Sequence, residues 1–333
     1  MRFGPVPLDE ADGAILAHSV LLPDGRLRKG CTLGPEEIAT LRRLGLTEVI
    51  AARLDPGDLH EDPAALAVAQ ALVPDAAAAG LVLKPVGTGR VNIHAGAAGV
   101  ADVLPDRVAA LNAVDPLITL ATVPRWQRMG QGEMVATVKV IAYGVAAASV
   151  AEASLRGQAA LQLRPAVLSR AALIQTVIDD DDGEKGHRAI QERLLALGVR
   201  MQPKRIVAHR EADLAAALSG IRDADLILIL TASATSDPQD VAPAAVRQAG
   251  GRVDRFGMPV DPGNLLFLGS LGPVPVIGLP GCARSPALNG ADWVMERLIC
   301  GVPVSGADIA AMGVGGLLKE IPQRGRLREA RDP

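Results

Sequence analysis

The sequence predicts an α/β protein. Its C-terminal part is expected to carry a doubly wound, mostly parallel sheet, preceded by N-terminal and middle α+β regions. Three observations predict this. From Ala171 onward, apolar strand-like runs alternate with helix-like segments. Right-handed crossovers turn that alternation into a parallel sheet with helices on both faces. The run Leu226–Leu230 (LILIL) is apolar at every position, as a strand covered on both faces is. Loops of glycine, proline and small polar residues follow three of the strand-like runs.

At 333 residues the chain is long enough for two or three domains. Its texture divides it into an N-terminal segment 1–54, a middle region 55–168, an α/β domain 169–315 and a tail 316–333. Apolar residues make up 49%, enough for sizeable cores and too many for a disordered chain. The formal charge of −3 argues against a nucleic-acid partner, which needs a basic face. Aromatics at 2% leave no stacking platform for single strands. No apolar stretch has the length of a membrane span, and Asp9, Glu10 and Asp12 precede any apolar run, which is wrong for a secretory signal. Cys31, Cys282 and Cys300 are too scattered for a disulfide framework, so a reducing cytoplasm is the simpler setting.

Along the chain, PDGR at 23–26 and Gly30 and Gly34 read as turns. Pro35–Leu44 reads as a helix, with Pro35 in its first turn, Glu36 and Glu37 at its positive end and Gly45 as its stop. Glu48–Ala52 resembles a strand, and the polar DPGDLHEDP at 55–63 a linker. Residues 64–79 and 145–161 are alanine-rich and helical by propensity. Segments 81–86, 117–123 and 133–143 favour strands. Then follow a strand at Ala171–Ile178, a helix at Glu184–Leu197 and a short strand at Arg205–Ala208. A helix at Glu211–Leu218, the strand Leu226–Leu230 and a helix at Asp237–Ala249 come next. Strands at Phe267 and Val274–Leu279 and a helix at Asp292–Ile299 close the pattern.

A doubly wound sheet binds ligands at the carboxyl ends of its strands. The loops there are DDDDGEKG (179–186), TASATSDPQD (231–240) and LPGCARSP (279–286), with MPVDPGNLL (258–266) nearby. Such small-residue loops suit a ligand approached by backbone N–H groups, an anion or a pterin among them. Thr231, Ala232, Ser233, Thr235 and Ser236 let a ligand lie against the main chain. Asp237, Pro238 and Asp240 also read simply as N-cap, N1 and N3 of the following helix. The aspartates 179–182 read as a solvated turn with Asp182 capping the next helix, or as a Mg²⁺ site beside ligand phosphates. Cys282 reads as a small neutral residue or a reactive thiol. The five histidines have no metal-ligand spacing, GTGR at 87–90 is a turn rather than a phosphate loop, and no G-x-G-x-x-G, P-loop or G-x-S-x-G is present.

LILILTASATSDPQDVAPAAV (226–246) resembles the signature of the molybdopterin-binding domain shared by molybdopterin adenylyltransferases and molybdenumtransferases. Asp240-Val241 falls on that family's Asp-Val pair, VIGLPGCARSP (276–286) resembles its GLPGNP loop, and MPVDPGN (258–264) its Pro-Gly loop. VPLDEADGAILAHSV and LRKGCTLGPEEIATLRRLGLTEVIAA resemble segments of the molybdenumtransferase branch. The resemblance is strongest over 170–300 and weaker over 1–54, and residues 55–170 stand between. It departs at Ala232 and Ser233, where the family has glycines, and at Cys282, where it has asparagine.

The resemblance implies a binder of molybdopterin or molybdenum cofactor, acting in cofactor synthesis, metal insertion or handover. The pterin would be cradled by Thr231, Ala232, Ser233, Thr235, Ser236, Pro262, Gly263, Asn264, Pro280, Gly281, Cys282 and Ser285. Asp240 and Asp237 would serve a transferase reaction, with Asp180, Asp182 and Asp240 holding Mg²⁺. Two alternatives stand beside it: a non-catalytic carrier, and a nucleotide pyrophosphatase of the competence-damage-inducible kind. Some relatives continue from a tail like GVGGLLKEIPQR into a cofactor nucleotidyltransferase. That makes such an enzyme, or a molybdoenzyme, the expected partner, and the family's habit implies a homo-oligomer.

Overall fold

A computed structural model describes residues 1–178 and 182–318, with Lys185 by its main chain alone. The chain folds as two units: Met1–Ala97 with Ala101–Leu163, and Ala98–Val100 with Arg164 onward. The class is mixed α/β, as the sequence predicts. Among the described residues, no helix is long and apolar enough to cross a membrane.

In the first unit, strands Arg2–Pro7, Glu48–Arg53 and Ile15–Leu16 form an antiparallel sheet with Glu48–Arg53 in the middle. The helix Pro35–Arg43 begins where expected because Glu37 turns back to accept the Gly34 N–H at 3.0 Å. Its apolar spacing sets Ile38 and Leu41 into a core with Val6, Leu8, Leu16, Leu33 and Val49. Gly45 stops it in the left-handed region, at φ +80°, where a side chain would be strained.

The middle residues form a four-stranded antiparallel sheet in the order Ile118–Thr122, Met134–Val140, Arg90–Ala95, Leu81–Gly87. The alanine-rich helix Glu61–Leu72 lays Ala64, Ala65, Val68, Ala69 and Leu72 into a core shared with Val91, Ile93 and Val138. Residues 55–63 are not a linker. Asp58–His60 pairs antiparallel with Gly144–Ala146, and the helix has begun by Glu61. Their polarity is spent locally: Asp58 accepts the Asp55 N–H at 2.8 Å, and Asp62 accepts the Gly89 N–H at 2.7 Å. The helix also stops short of residue 79, at Leu72, two residues before Pro74. The second alanine-rich helix is likewise shorter than expected, Ala147–Arg156. Arg90–Ala95, Gly99–Val103 and the helix Pro105–Asn112 carry no sequence signal strong enough to be read beforehand.

Glu61 is buried, at 8% exposure. Burial holds its carboxyl above the usual range, outweighing the pull of Lys139. The folded group therefore keeps its proton to higher pH than the unfolded one, whose pKa is about 4.3. Its contribution is fully present below that value and is lost as pH rises through the folded pKa. Glu61→Gln should melt higher than wild type at about pH 8, with the gap closing by about pH 4. Thermal melts at the two pH values check it, and a gap independent of pH would refute it.

The second unit is built on a seven-stranded sheet in the order Arg200–Met201, Arg170–Val177, Leu226–Leu230, Val274–Leu279, Phe267–Leu271, Arg252–Phe256, with Arg205–Ala208 also beside Arg170–Val177. Arg170–Val177 pairs parallel with Arg200–Met201, Arg205–Ala208 and Leu226–Leu230, and Leu226–Leu230 pairs parallel with Val274–Leu279. The last two pairings are antiparallel. Ile174, Ile227, Ile229, Phe267 and Val276 share a core with Leu214 and Leu218 of the helix Glu211–Ser219 and with Ala242, Ala245 and Val246 of the helix Val241–Gln248. The intervening Leu173, Leu228 and Leu230 face the other way, as the strand period requires. Gly186 of the helix Glu184–Leu195 sits against Leu230 there; a Cβ on it would lie 2.7 Å from Leu230 Cδ2.

Two elements differ from the sequence reading. The helix expected from Asp237 begins at Val241, with Asp240 as its N-cap. Asp237 instead folds a tight turn, accepting the Gln239 N–H on Oδ1 at 2.7 Å and the Asp240 N–H on its backbone carbonyl at 3.0 Å. Glu184–Leu195 starts from Gly183 in the left-handed conformation, while Asp182 accepts the Glu184 N–H at 2.9 Å. The Arg252–Phe256 strand and the Gly306–Ala311 helix are additions to the sequence reading. The tail from 319 lies outside the described residues.

Candidate functional site

Strand direction decides which loops share an edge. Arg170–Val177, Leu226–Leu230 and Val274–Leu279 run parallel, so the turns that follow them emerge together. Phe267–Leu271 is antiparallel to Val274–Leu279 and to Arg252–Phe256, so the connection 257–266 emerges at that same edge. Among the described residues, the 231–240, 257–266 and 279–286 loops and the Asp182–Gly186 lead-in to the helix Glu184–Leu195 stand on the carboxyl edge of one sheet.

The 231–240 loop is shaped mostly by its own hydroxyls. Thr231, 5% exposed, donates from Oγ1 to the Ser233 carbonyl at 2.6 Å and lies 3.3 Å from Thr235 Oγ1. Ser233 and Ser236 are exposed. Ala232 N–H donates to Thr176 Oγ1 at 2.9 Å, across to the neighbouring strand. The Thr176 hydroxyl is also 2.8 Å from His209 Nδ1, where its own proton can go. Asp240 uses both carboxylate oxygens on its own chain, accepting Val241 N–H at 2.7 Å and Ser236 N–H at 3.1 Å.

The 279–286 loop is held from two sides. Pro280 caps a short 3-10 turn over Gly281–Arg284, leaving Gly281 exposed and Cys282 half-buried. Arg284 Nη2 donates to the Thr231 carbonyl at 2.6 Å, tying this loop to the previous one. Arg193 of the helix Glu184–Leu195 reaches in from behind. Its guanidinium donates to the carbonyls of Ala283, Ser285 and Ala287 at 3.0, 2.7 and 2.9 Å, and pairs with the buried Asp292. Asp292 in turn accepts the Asn289 N–H, closing a capping box at the start of the helix Gly290–Ile299.

The 258–264 loop docks on that helix start. The Asp261–Pro262 peptide is cis, and the Pro262 carbonyl accepts the Gly290 N–H at 2.9 Å. Gly263, at φ +142°, approaches so closely that a Cβ would lie 2.7 Å from Gly290 N. Asn264 is exposed, and its carbonyl accepts the Met258 N–H.

Direct hydrogen bonds thus tie the 231–240 loop to the strand Arg170–Val177 and to the 279–286 loop, and the 258–264 loop joins through Gly290. The acidic residues are not brought together in the same way. Asp182 is exposed, Asp180 lies outside the described residues, and among the described residues no three His, Cys, Asp or Glu side chains gather to hold a metal. Cys300 is the inert thiol of the unit: burial pushes it up to about 12. The residues that sequence reasoning missed are the ones that tie loops together: Thr176, Arg193, Arg284 and Asp292. Only Asp292 had a readable signal, as the fourth residue of the Asn289-to-Asp292 capping pattern.

The model of one family, a domain of unknown function (DUF8806), matches residues 5–53. No curated protein matches the chain. Among solved structures, molybdenum cofactor biosynthesis protein B is similar at a TM-score of 0.30 and 14% identity, over 40% of this chain and 94% of that one. The molybdopterin biosynthesis moeA protein from Pyrococcus horikosii is similar at 0.29 and 13%, over 92% of this chain and 75% of that one. A moeA protein structure from Pyrococcus horikoshii OT3 gives 0.22 and 10%, over 83% and 69%.

Proposed function

We propose that the unit from Arg164 onward is a doubly wound, molybdopterin-binding-like fold, and that its carboxyl edge binds molybdopterin or molybdenum cofactor. Its role is in cofactor synthesis, metal insertion or handover, with a nucleotidyltransferase or molybdoenzyme as the recipient. The observation that carries this reading is the anchoring of the 231–240 loop on both sides: Ala232 N–H to Thr176 at the end of the neighbouring strand, and Arg284 of the 279–286 loop to the Thr231 carbonyl. A rigid edge of small residues and main chain offers a flat heterocycle surface contact and a phosphate its N–H donors. Thr231, Ala232, Ser233, Thr235, Ser236, Pro280, Gly281, Cys282 and Ser285 would contact the ligand, with Pro262, Gly263 and Asn264 at the flank. Titrating the purified protein with molybdopterin tests this. Saturable binding is expected, and none with the loops intact removes the reading.

Within this reading, one observation favours a carrier over a transferase. Both oxygens of Asp240 are engaged in capping and in holding Ser236, which is a structural duty. If Asp240 instead held Mg²⁺, with Asp182 and Asp180 as helpers, it would have to release those bonds. Asp240→Ala should therefore cost about 0.5–2 kcal/mol of stability, the usual loss of a cap. Pterin affinity should fall only a few-fold. A fall in a measured transferase turnover by orders of magnitude, with affinity kept, would establish the enzyme instead.

A further inference from the structure

Beside the first of the three turns lies a polar atom that the fold leaves without a partner. Gln175, the sixth residue of the strand Arg170–Val177, is 3% exposed. Its Nε2 donates to the Gly183 carbonyl at 2.9 Å, which fixes the amide's orientation and makes Oε1 the free end. Gln175 Oε1 is buried and makes no hydrogen bond, and neither does the buried Nδ1 of His187. An amide oxygen can only accept, and an imidazole nitrogen accepts when the other ring nitrogen carries the hydrogen.

The surroundings are kept clear for this amide. A Cβ on Gly183 would lie 2.9 Å from Gln175 Nε2 and 3.1 Å from Oε1. A Cβ on Gly186, the residue before His187, would lie 2.9 Å from Nε2 and 3.4 Å from Arg284 Cγ. Gln175 is in register with Leu230, one residue before the Thr231 loop. The amide thus sits against Gly183 and Gly186, with Leu230 and Arg284 on the far side of Gly186, at the N-terminus of the 12-residue helix Glu184–Leu195. Buried acceptors without donors are rare, and a site built for a ligand is one reason a fold keeps them.

We propose that Gln175 Oε1, together with Nδ1 of His187, the residue after Gly186, supplies the acceptors that recognise the N–H edge of the bound heterocycle: the ring N–H and exocyclic amine of a 2-amino-4-oxopyrimidine, the edge pterins and guanine share. This rests on the pterin-binding reading above and makes Gln175 its specificity-determining residue. A ring offering a carbonyl in place of the amine would meet an acceptor with an acceptor, and bind worse.

The test uses pterin-6-carboxylate, lumazine, which has a carbonyl in place of the 2-amino group, and guanosine monophosphate. They are titrated against wild type, Gln175→Leu, Gln175→Glu and His187→Phe, with melting curves to verify folding. Wild type should prefer the pterin to lumazine by at least ten-fold. Gln175→Leu should bring that ratio close to one, Gln175→Glu should keep the preference, and His187→Phe should reduce it. Wild type that binds the pterin but has a preference unchanged in both Gln175→Leu and His187→Phe overturns this inference and leaves the pterin reading standing. Wild type that binds no pterin and no guanosine monophosphate overturns both, whereas guanosine monophosphate bound more tightly than the pterin, with the preference for the amino edge lost in Gln175→Leu, overturns the pterin reading and keeps the edge recognition.

Discussion

Replacing Arg193 by Met should cost the second unit about 3–5 kcal/mol, the loss expected when one member of a buried ion pair is removed. Arg193 and Asp292 have side chains only 10% and 6% exposed. The guanidinium also donates to four backbone carbonyls: Ala189 of its own helix, and Ala283, Ser285 and Ala287 of the 279–289 stretch. Without it, the Asp292 charge stays buried with only the Asn289 N–H for company, and the Ala283 and Ser285 carbonyls lose the guanidinium, while Ala287 keeps only the Asn289 side-chain amide at 3.3 Å. Lysine keeps the charge but offers no planar fork, so Arg193→Lys should recover only part of the loss. Urea denaturation measures both. A cost below about 1 kcal/mol for Arg193→Met would show that the loop keeps its shape by other means.

Gly278→Ala should cost about 3 kcal/mol, at the upper end of ordinary overpacking. Gly278 faces Phe267 across the antiparallel pair, and a Cβ there would lie 1.9 Å from Phe267 Cε1. Phe267 is fully buried in the core beneath the helices Glu211–Ser219 and Val241–Gln248, so its ring has nowhere to swing. Gly278 also stands two residues before Pro280, so the same strain reaches the start of the 279–286 loop. The pair is open to a double-mutant cycle. Phe267→Leu alone leaves a void, and in the double variant the new methyl should partly fill it, giving a combined cost smaller than the sum. Strict additivity would show that the clash is relieved elsewhere.

The fold was legible where period and punctuation agreed. Leu226–Leu230 and Val274–Leu279 sit where the sequence predicts them, because buried strands are apolar at every position and end at Gly or small-residue turns. Gly198 and Gly250, both in the left-handed region, stop helices as expected. Residues 55–63 misled because local composition does not distinguish a solvated linker from a strand whose aspartates are used on neighbouring backbone. The start of the Val241 helix slipped by several residues because Asp237 and Asp240 are both good caps, and only the geometry of the turn between them decides. Of the site, the loops could be read and their connections could not. Arg193 looks like any surface arginine of an amphipathic helix until Asp292, 99 residues later, lies against it. Gln175 is likewise an ordinary polar residue in a strand until Gly183 takes one end of its amide.

The central claim is that this sheet edge holds a pterin. The most direct measurement is to purify the protein from a host that makes the cofactor, oxidise it with acid and iodine, and read the fluorescence of any released pterin. A fluorescent oxidised pterin in amounts comparable to the protein, lost together with loop integrity in Arg193→Met, is the predicted result. Protein that releases none, and takes up none when molybdopterin is added, would contradict it.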